Sequence, residues 1–261
     1  MNLLVTGANG YVGSSLVSGL KNTHNVTALN RQTLDLSDSE TVNKYFSDKY
    51  FDVVLHCAST GGSRLKTDSS EVLDNNLSMY YNLLSNQDKF GKFINFGSGA
   101  ELTDKESYYG LSKRIINSSI LGRDNFYTVR IFAVFDENEL ESRFLKTNIR
   151  KYINKEPMNI FSNKIMDFFY MGDLIRLIQY YITHDDMPKE FECSYEDHHS
   201  LVSLADIINT LHYYKVAISC KSQGSAHYYG SYQELPVDFV GVQEGILRTY
   251  KSLKNQHYNK T

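Results

Sequence analysis

Five short apolar runs, alternating with four stretches of helical spacing, constrain this chain more than any other feature of its sequence. The runs are Leu3-Leu4-Val5, Val26-Thr27-Ala28-Leu29, Val53-Val54-Leu55, Phe93-Ile94-Asn95-Phe96 and Thr128-Val129-Arg130-Ile131-Phe132. They are too short for buried helices and read as strands. Between them, Val12/Leu16/Leu20, Val42/Tyr45/Phe46, Leu73/Leu77/Tyr80/Leu84 and Leu111/Ile115/Ile116/Ile120 each mark one apolar helix face. Strand–helix alternation needs crossover connections, hence a mostly parallel sheet covered by helices on both faces. The predicted fold class is α/β, doubly wound.

Where the first run ends, Thr6-Gly7-Ala8-Asn9-Gly10-Tyr11-Val12-Gly13 leads directly into the first helix. Glycines spaced GxxGxxG at that place are a variant of the Rossmann dinucleotide fingerprint. Gly7 allows the tight turn, Gly10 lets the backbone approach a pyrophosphate, and Gly13 permits close packing of helix on strand. The helix amino terminus adds N–H groups and partial positive charge for the anion. Glycines serving only a turn are the bland alternative. After the second strand stands Asn30-Arg31, with no carboxylate until Asp35. A guanidinium pairs with a ribose 2′-phosphate, which an acid would repel, so NADP(H) is expected over NAD(H), with NAD(H) possible.

Tyr109-Gly110-Leu111-Ser112-Lys113 puts a tyrosine and a lysine four apart, on one face of a predicted helix. A phenol with a pKa near 10 is a poor acid/base at neutrality, but a neighbouring ammonium favours phenolate. Ser98, just after the fourth strand, is placed to hydrogen-bond the same substrate oxygen. Ser98, Tyr109 and Lys113 are the candidate catalytic residues.

Beyond about residue 150 the alternation loosens. Met158-Asn159-Ile160-Phe161 and Asp167-Phe168-Phe169-Tyr170 look like strands, and Asp173 to Ile182 like a helix capped by Asp173. The expected organisation is a cofactor-binding domain at 1–155, to which 166–188 returns. A small mixed α/β substrate lobe, from 156–165 and 189–261, would cover the sheet's carboxyl edge. A net charge of −3 argues against a nucleic-acid partner, and no run nears the ~20 apolar residues of a membrane span. Met1-Asn2-Leu3-Leu4-Val5 lacks a basic n-region, which argues against a secretory signal. Three dispersed cysteines, Cys57, Cys193 and Cys220, fit neither a disulfide framework nor a zinc ligand set. A soluble, cytoplasmic chain without a metal is expected. His198-His199 reads as a polar loop and His56 as a satisfied core histidine.

Taken together, the motifs resemble the extended short-chain dehydrogenases/reductases that act on nucleotide sugars, the NAD-dependent epimerase/dehydratase family. TGANGYVG at 6–13 is similar to its cofactor loop and YGLSK at 109–113 to its Tyr/Lys pair. Leu34-Asp35-Leu36 resembles the acid–aliphatic pair beside adenine, His56-Cys57-Ala58 the end of the third strand, and Asn76-Leu77 an asparagine segment. Arg130 to Phe135 and Asp167 to Asp173 resemble later landmarks, and Leu201 to Leu211 and Gly241 to Lys251 the carboxyl-terminal helices. The resemblance implies cofactor contacts from Gly7, Asn9, Gly10, Tyr11, Val12, Gly13, Asn30, Arg31, Asp35, Leu36, Cys57, Ala58, Ser59, Asn76, Tyr109, Lys113, Phe132 and Val134. It also implies a homodimer through the helices at 73–84 and 111–120.

The chain looks most like the 4-keto-sugar reductases of the family, such as the GDP-fucose synthases and dTDP-4-dehydrorhamnose reductases, and its departures are informative. Gly99-Ala100 follow Ser98 where 4,6-dehydratases have Asp-Glu. Ala100, and Ser142-Arg143-Phe144, stand where GDP-fucose synthases have the Cys and His of their epimerisation step. The segment from Ser98 to Tyr109 is short, and Met166 replaces a common arginine, leaving Lys164, Arg143 and Arg248 as candidates for a substrate diphosphate. The expected activity is NADPH-dependent reduction of a nucleotide-linked 4-keto sugar, with 6-deoxy sugars favoured. An NAD-dependent UDP-sugar 4-epimerase and a non-catalytic NADP(H)-sensing protein are the alternatives.

Overall fold

A computed structural model describes every residue except Arg64, Leu65, Lys105, Ser225, Ala226 and 259–261, together with the backbone alone of Tyr258. In chain order its elements are β1 (Asn2–Thr6), α1 (Tyr11–Leu20), β2 (Asn25–Ala28), α2 (Ser39–Phe46), β3 (Phe51–His56), α3 (Ser70–Leu84), β4 (Phe90–Ser98), α4 (Ala100–Thr103), α5 (Tyr108–Ile120) and β5 (Phe126–Ile131). There follow β6 (Val134–Phe135), α6 (Phe144–Ile153), β7 (Met158–Asn163), β8 (Phe169–Tyr170), α7 (Met171–Thr183), β9 (Glu190–Glu192), α8 (Leu201–Ile208), β10 (Ile218–Gln223) and α9 (Gly241–Tyr258). Among the described residues no helix is long and apolar enough to cross a membrane.

The five apolar runs become β1 to β5, joined by β9 in one sheet of order β2-β1-β3-β4-β5-β9. The pairings from β2 to β5 are all parallel. The order reverses direction from β1 outward, as a doubly wound sheet requires. Helix faces supply its cover: Val42 and Phe46 from α2, Tyr80 and Leu83 from α3, and Ile116 and Ile120 from α5 are buried with Val54, Phe93 and Phe126 of the strands. Asp38 caps α2 by accepting from the N–H groups of Glu40 and Thr41, so the helix starts where its apolar period starts.

The chain divides into two compact units. Met1–Ile131 and Ile178–Phe191 form the first, and Phe132–Leu177 and Glu192–Thr261 the second. The chain thus leaves the first unit after Ile131 and not near 155, and residues 166–177 do not return to it. Burial supplies the reason. Phe135, Leu145, Ile149 and Tyr152 share a second core with Phe168, Leu204, Ile246 and Leu253.

Two further expectations are corrected in this second unit. The strand at 167–170 shrinks to Phe169–Tyr170, because only these two residues pair with β6 while the Asp167 N–H donates to Tyr228 O at 3.0 Å; its carboxylate accepts from the Gly230 N–H at 2.9 Å and lies 2.8 Å from His198 Nδ1. Asp173 does not cap its helix, since α7 already begins at Met171. Its fully buried carboxylate accepts from the Val240 and Gly241 N–H groups at 3.0 Å each, from the Tyr195 hydroxyl, and from Arg176 at 2.8 Å.

Candidate functional site

The carboxyl end of β1 shows why glycine is needed at two of the loop positions. Gly7 has φ +63°, and a Cβ there would lie 2.7 Å from the backbone of Ala58. A Cβ on Gly13 would lie 2.4 Å from the Gly7 carbonyl oxygen, so the close packing at Gly13 is against its own loop. Gly10 is the N-cap of α1 and brings no capping side chain to the helix terminus. Such a cradle fits a diphosphate.

Beside it lies an open cleft lined by Gly7, Asn30, Arg31, Asp35, Leu36, Ala58 and Ser59 from the expected set. Leu34, of the segment expected beside adenine, lines it too, and Leu29, Ser37, Thr60, Asn75 and Met79, which are outside the expected set, complete the lining. Asn75 and Met79 lie four apart on α3, on a face beside the apolar Leu73/Leu77/Tyr80 stripe. Asn30 shapes the rim: its Oδ1 accepts from Gln32 N at 2.9 Å and Thr33 N at 3.1 Å, and its amide donates to Asn9 Oδ1 at 3.4 Å. Arg31 is 77% exposed and its Nε stands 3.5 Å from Asp35 Oδ2. The Ser37 hydroxyl, 2.6 Å from Asp35 Oδ1, and the Ser37 N–H hold the Asp35 carboxyl below its usual range.

Asn76 does not line this cleft. It is 2% exposed and spends its amide on the loop after β3, accepting from Thr60 N at 2.8 Å and donating to Thr60 O and to Ser112 Oγ. Cys57 is likewise outside the lining, and burial pushes its thiol up, so it stays neutral. Phe132 and Val134 belong to the second unit, where the Phe132 ring meets Tyr228 edge-on and Val134 pairs with Phe169. His56 is 1% exposed, bonded to Thr6 Oγ1 at 3.0 Å, and burial lowers its pKa to about 3.

Ser98, Tyr109 and Lys113 all lie in the first unit. Ser98 ends β4, with its Oγ accepting from Ala100 N at 3.2 Å. Ser107 caps α5 by accepting from Gly110 N at 3.0 Å, which places Tyr109 and Lys113 in its first two turns. Gly110 between them has a packing reason, since a Cβ there would lie 2.2 Å from the Asp104 carbonyl. Lys113 is 4% exposed, donates to Phe96 O at 2.8 Å, and holds its Nζ 5.7 Å from the Tyr109 ring centroid. Burial lowers the Lys113 pKa to about 8, against the opposing pull of Glu101. The Tyr109 ring also meets Gly62, φ +72°, where a Cβ would lie 2.9 Å from the ring. Neither Gly62 nor Glu101 was expected at the site; a lone glycine and a lone acid carry no spacing signal.

The candidates for a substrate diphosphate fall in the second unit. Arg143 is the exposed N-cap residue of α6, Lys164 is half-buried, and Arg248 is paired with Glu244 at 2.8 Å. His198 is oriented by Asp167, and among the described residues no group of three or more His, Cys, Asp or Glu is placed to hold a metal.

Comparisons with known proteins converge. Residues 3–194 match the NAD dependent epimerase/dehydratase family. No curated protein sequence gave a match. Among solved structures, a GDP-L-fucose synthetase from Naegleria fowleri bound to NADP is 16% identical, over 98% of this chain and 94% of that one, with a TM-score of 0.74. A GDP-mannoheptose C4 reductase from Campylobacter jejuni with NADP bound is 15% identical over 97% and 98%, with a TM-score of 0.79. A UDP-glucose 4-epimerase from Thermotoga maritima with UDP-glucose is 17% identical over 98% and 100%, with a TM-score of 0.75. At these identities the structural likeness establishes the fold, and the family match covers most of the chain. The chain is therefore an enzyme of the NAD dependent epimerase/dehydratase family.

Proposed function

We propose that this protein reduces the 4-keto group of a nucleotide-linked sugar, a 6-deoxy sugar by preference, with NADPH. The observation that carries the reading is the buried Lys113 ammonium beside Tyr109, at the end of the strand that also presents Ser98. The Gly7–Gly13 cradle and the terminus of α1 would hold the dinucleotide diphosphate, Leu34, Leu36 and Met79 of the cleft would receive the adenine, and Arg31 would pair with the 2′-phosphate. When bound, the nicotinamide supplies the hydride that reduces the ketone. Tyr109 Oη gives its proton to the new C4 alkoxide, and Ser98 Oγ donates a hydrogen bond to the same oxygen. Lys113 favours the phenolate form of its neighbour once that proton has gone. NADP in the fucose synthetase and heptose reductase structures supports the cofactor choice.

One observation favours a second reading, an NAD-dependent UDP-sugar 4-epimerase. Asp35 stands in the same cleft as Arg31 and forms an ion pair with it, and an ionised acid there suits an unphosphorylated ribose. The discriminating experiment follows NADPH absorbance with GDP-, UDP-, dTDP- and CDP-linked 4-keto-6-deoxy sugars, generated in place by a 4,6-dehydratase. Stoichiometric oxidation with one nucleotide is expected. No oxidation, from protein purified with one bound NAD per chain, moves the assignment to the epimerase. A homodimer through α3 and α5 belongs to the same proposal, and light scattering in solution tests it.

A further inference from the structure

Where β3 stops, β4 does not. The last pairing between them is His56 with Asn95, while β4 and β5 continue to Ser98 and Ile131. Backbone groups of alternate residues point to the same strand edge. Beyond Asn95, the Phe96 C=O and Ser98 N–H therefore face where a neighbouring strand would have run. Two charged side chains occupy that edge. Lys113 Nζ donates to Phe96 O at 2.8 Å, and Glu101 Oε1 accepts from Ser98 N at 2.7 Å.

Glu101 is 3% exposed, in a helix of one turn, and its carboxylate lies over Gly97, where a Cβ would meet Oε1 at 2.5 Å. Its other oxygen accepts from Arg130 Nε at 3.2 Å and Nη2 at 3.1 Å. Arg130 Nη2 continues to Glu190 Oε1 at 2.7 Å, and Asn117 donates to that same oxygen. Burial pushes the Glu101 carboxyl up, and the guanidinium that clamps it by two bonds, which does not lose its proton in a protein, pulls the other way. The cluster thus holds two carboxylates, Glu101 and Glu190, against Arg130 and one further cation, Lys113. Glu190 is a third exposed and solvated, so Glu101 is the interior carboxylate that Arg130 and Lys113 share.

We propose that Glu101 is a positioning residue for the reaction, serving as the buried counter-charge that keeps Lys113 protonated beside Tyr109 and fixing the Ser98 backbone through its N–H. The inference rests on the functional reading of Ser98, Tyr109 and Lys113. Other titratable groups facing Lys113 do not replace Glu101. His56 from β3 is held neutral by burial, the Cys57 thiol is held neutral, and Tyr109 is the partner being tuned. From β5, Arg130 adds to the positive charge, and Glu190 of β9 is already bonded to Arg130 and Asn117. Burial lowers Lys113 to about 8, and Glu101 is the largest opposing influence.

The test is Glu101→Gln, which keeps an acceptor for Ser98 N and removes the charge. Lys113 is followed by the Cε and Nζ resonances of lysine-labelled protein across pH 6 to 11. The expected result is a midpoint lower than in the unaltered protein by about one pH unit or more, with the alkaline limb of kcat/KM moving by the same amount. Glu101→Asp is expected to recover part of the shift. A purely structural Glu101 would lower the melting temperature and leave the midpoint where it was, which overturns the proposal. If the variant does not fold, the Glu101 carboxyl carbon in the unaltered protein decides. It should be ionised at pH 7 and shift again at the Lys113 midpoint, and a neutral carboxyl at pH 7 also overturns it. Because these resonances are read without turnover, an unmoved midpoint and an inactive enzyme report separately on this inference and on the reductase assignment.

Discussion

The two units use buried carboxylates differently. In the first, Glu101 sits behind Ser98 and Lys113, at backbone groups left over where a strand ends. In the second, Asp173 and Asp167 are consumed by loop closure, accepting backbone N–H groups of residues 63 to 68 positions away in sequence. The first arrangement leaves charge beside groups that can do chemistry. The second spends charge on holding distant segments together. A buried acid is therefore no marker of function until its partners are known.

Four experiments break or sharpen that contrast. The largest expected effect is in the first unit: Tyr109→Phe should lower turnover by about 10³-fold, as loss of a general acid does, with NADPH affinity retained. Initial rates and a fluorescence titration check it, and unchanged turnover would remove the chemistry from this unit. In the second unit Asp173→Asn should act on stability, because it removes the charge of a fully buried carboxylate that four groups share. A loss of about 3 kcal/mol is expected, read as a melting temperature lower by roughly 5–10 °C.

The third experiment compares pH slopes. Burial raises Glu139 of the second unit to about 8, above the usual carboxyl value, although it accepts from Lys146 N at 3.1 Å. Its contribution to stability is present below pH ~4.5, the unfolded value, and is lost as pH rises through 8. Lys113 has the opposite sign. Its lowered pKa gives a contribution present above the unfolded value near 10.5 and lost as pH falls through 8. Glu139→Gln should flatten the decline between pH 5 and 8 by roughly 1–2 kcal/mol, measured by urea unfolding at several pH values. An unchanged slope would mean that Glu139 is solvated or ion-paired in solution. The smallest effect is expected at the exposed Arg31, where Arg31→Ala should reduce the preference for NADPH over NADH by about tenfold, read from the two kcat/KM ratios. Equal ratios before and after would favour the NAD reading that Asp35 supports.

Much of the first unit was legible because its signals are local. A strand announces itself by four or five apolar residues, a helix by apolar residues three and four apart, and the loop by glycines at fixed offsets. Gly7 and Gly13 could be read that way, and so could the strand that ends at Ser98 and the helix that carries Tyr109 and Lys113. Asn76 was placed at the cofactor by resemblance, but its amide serves Thr60 and Ser112. Asn75, one residue earlier, lines the cleft instead, because a step of one on a helix turns a side chain by about 100°. Asp173 was misread as a cap because a helix-opening acid and a buried hub look alike until the Tyr195 hydroxyl and the Val240 and Gly241 N–H groups are in place.

The sequence alone determined the doubly wound sheet, the glycine cradle after β1 and the tyrosine–lysine pair on one helix face. Each is encoded within a dozen residues by period, spacing or a glycine without a Cβ. Tertiary structure decided where the chain passes into its second unit, which side of α3 faces the cleft, and which acid stands behind Lys113. Those depend on where β3 ends against β4 and on which buried groups meet across long stretches of chain, and a buried charge is settled by its partners in space.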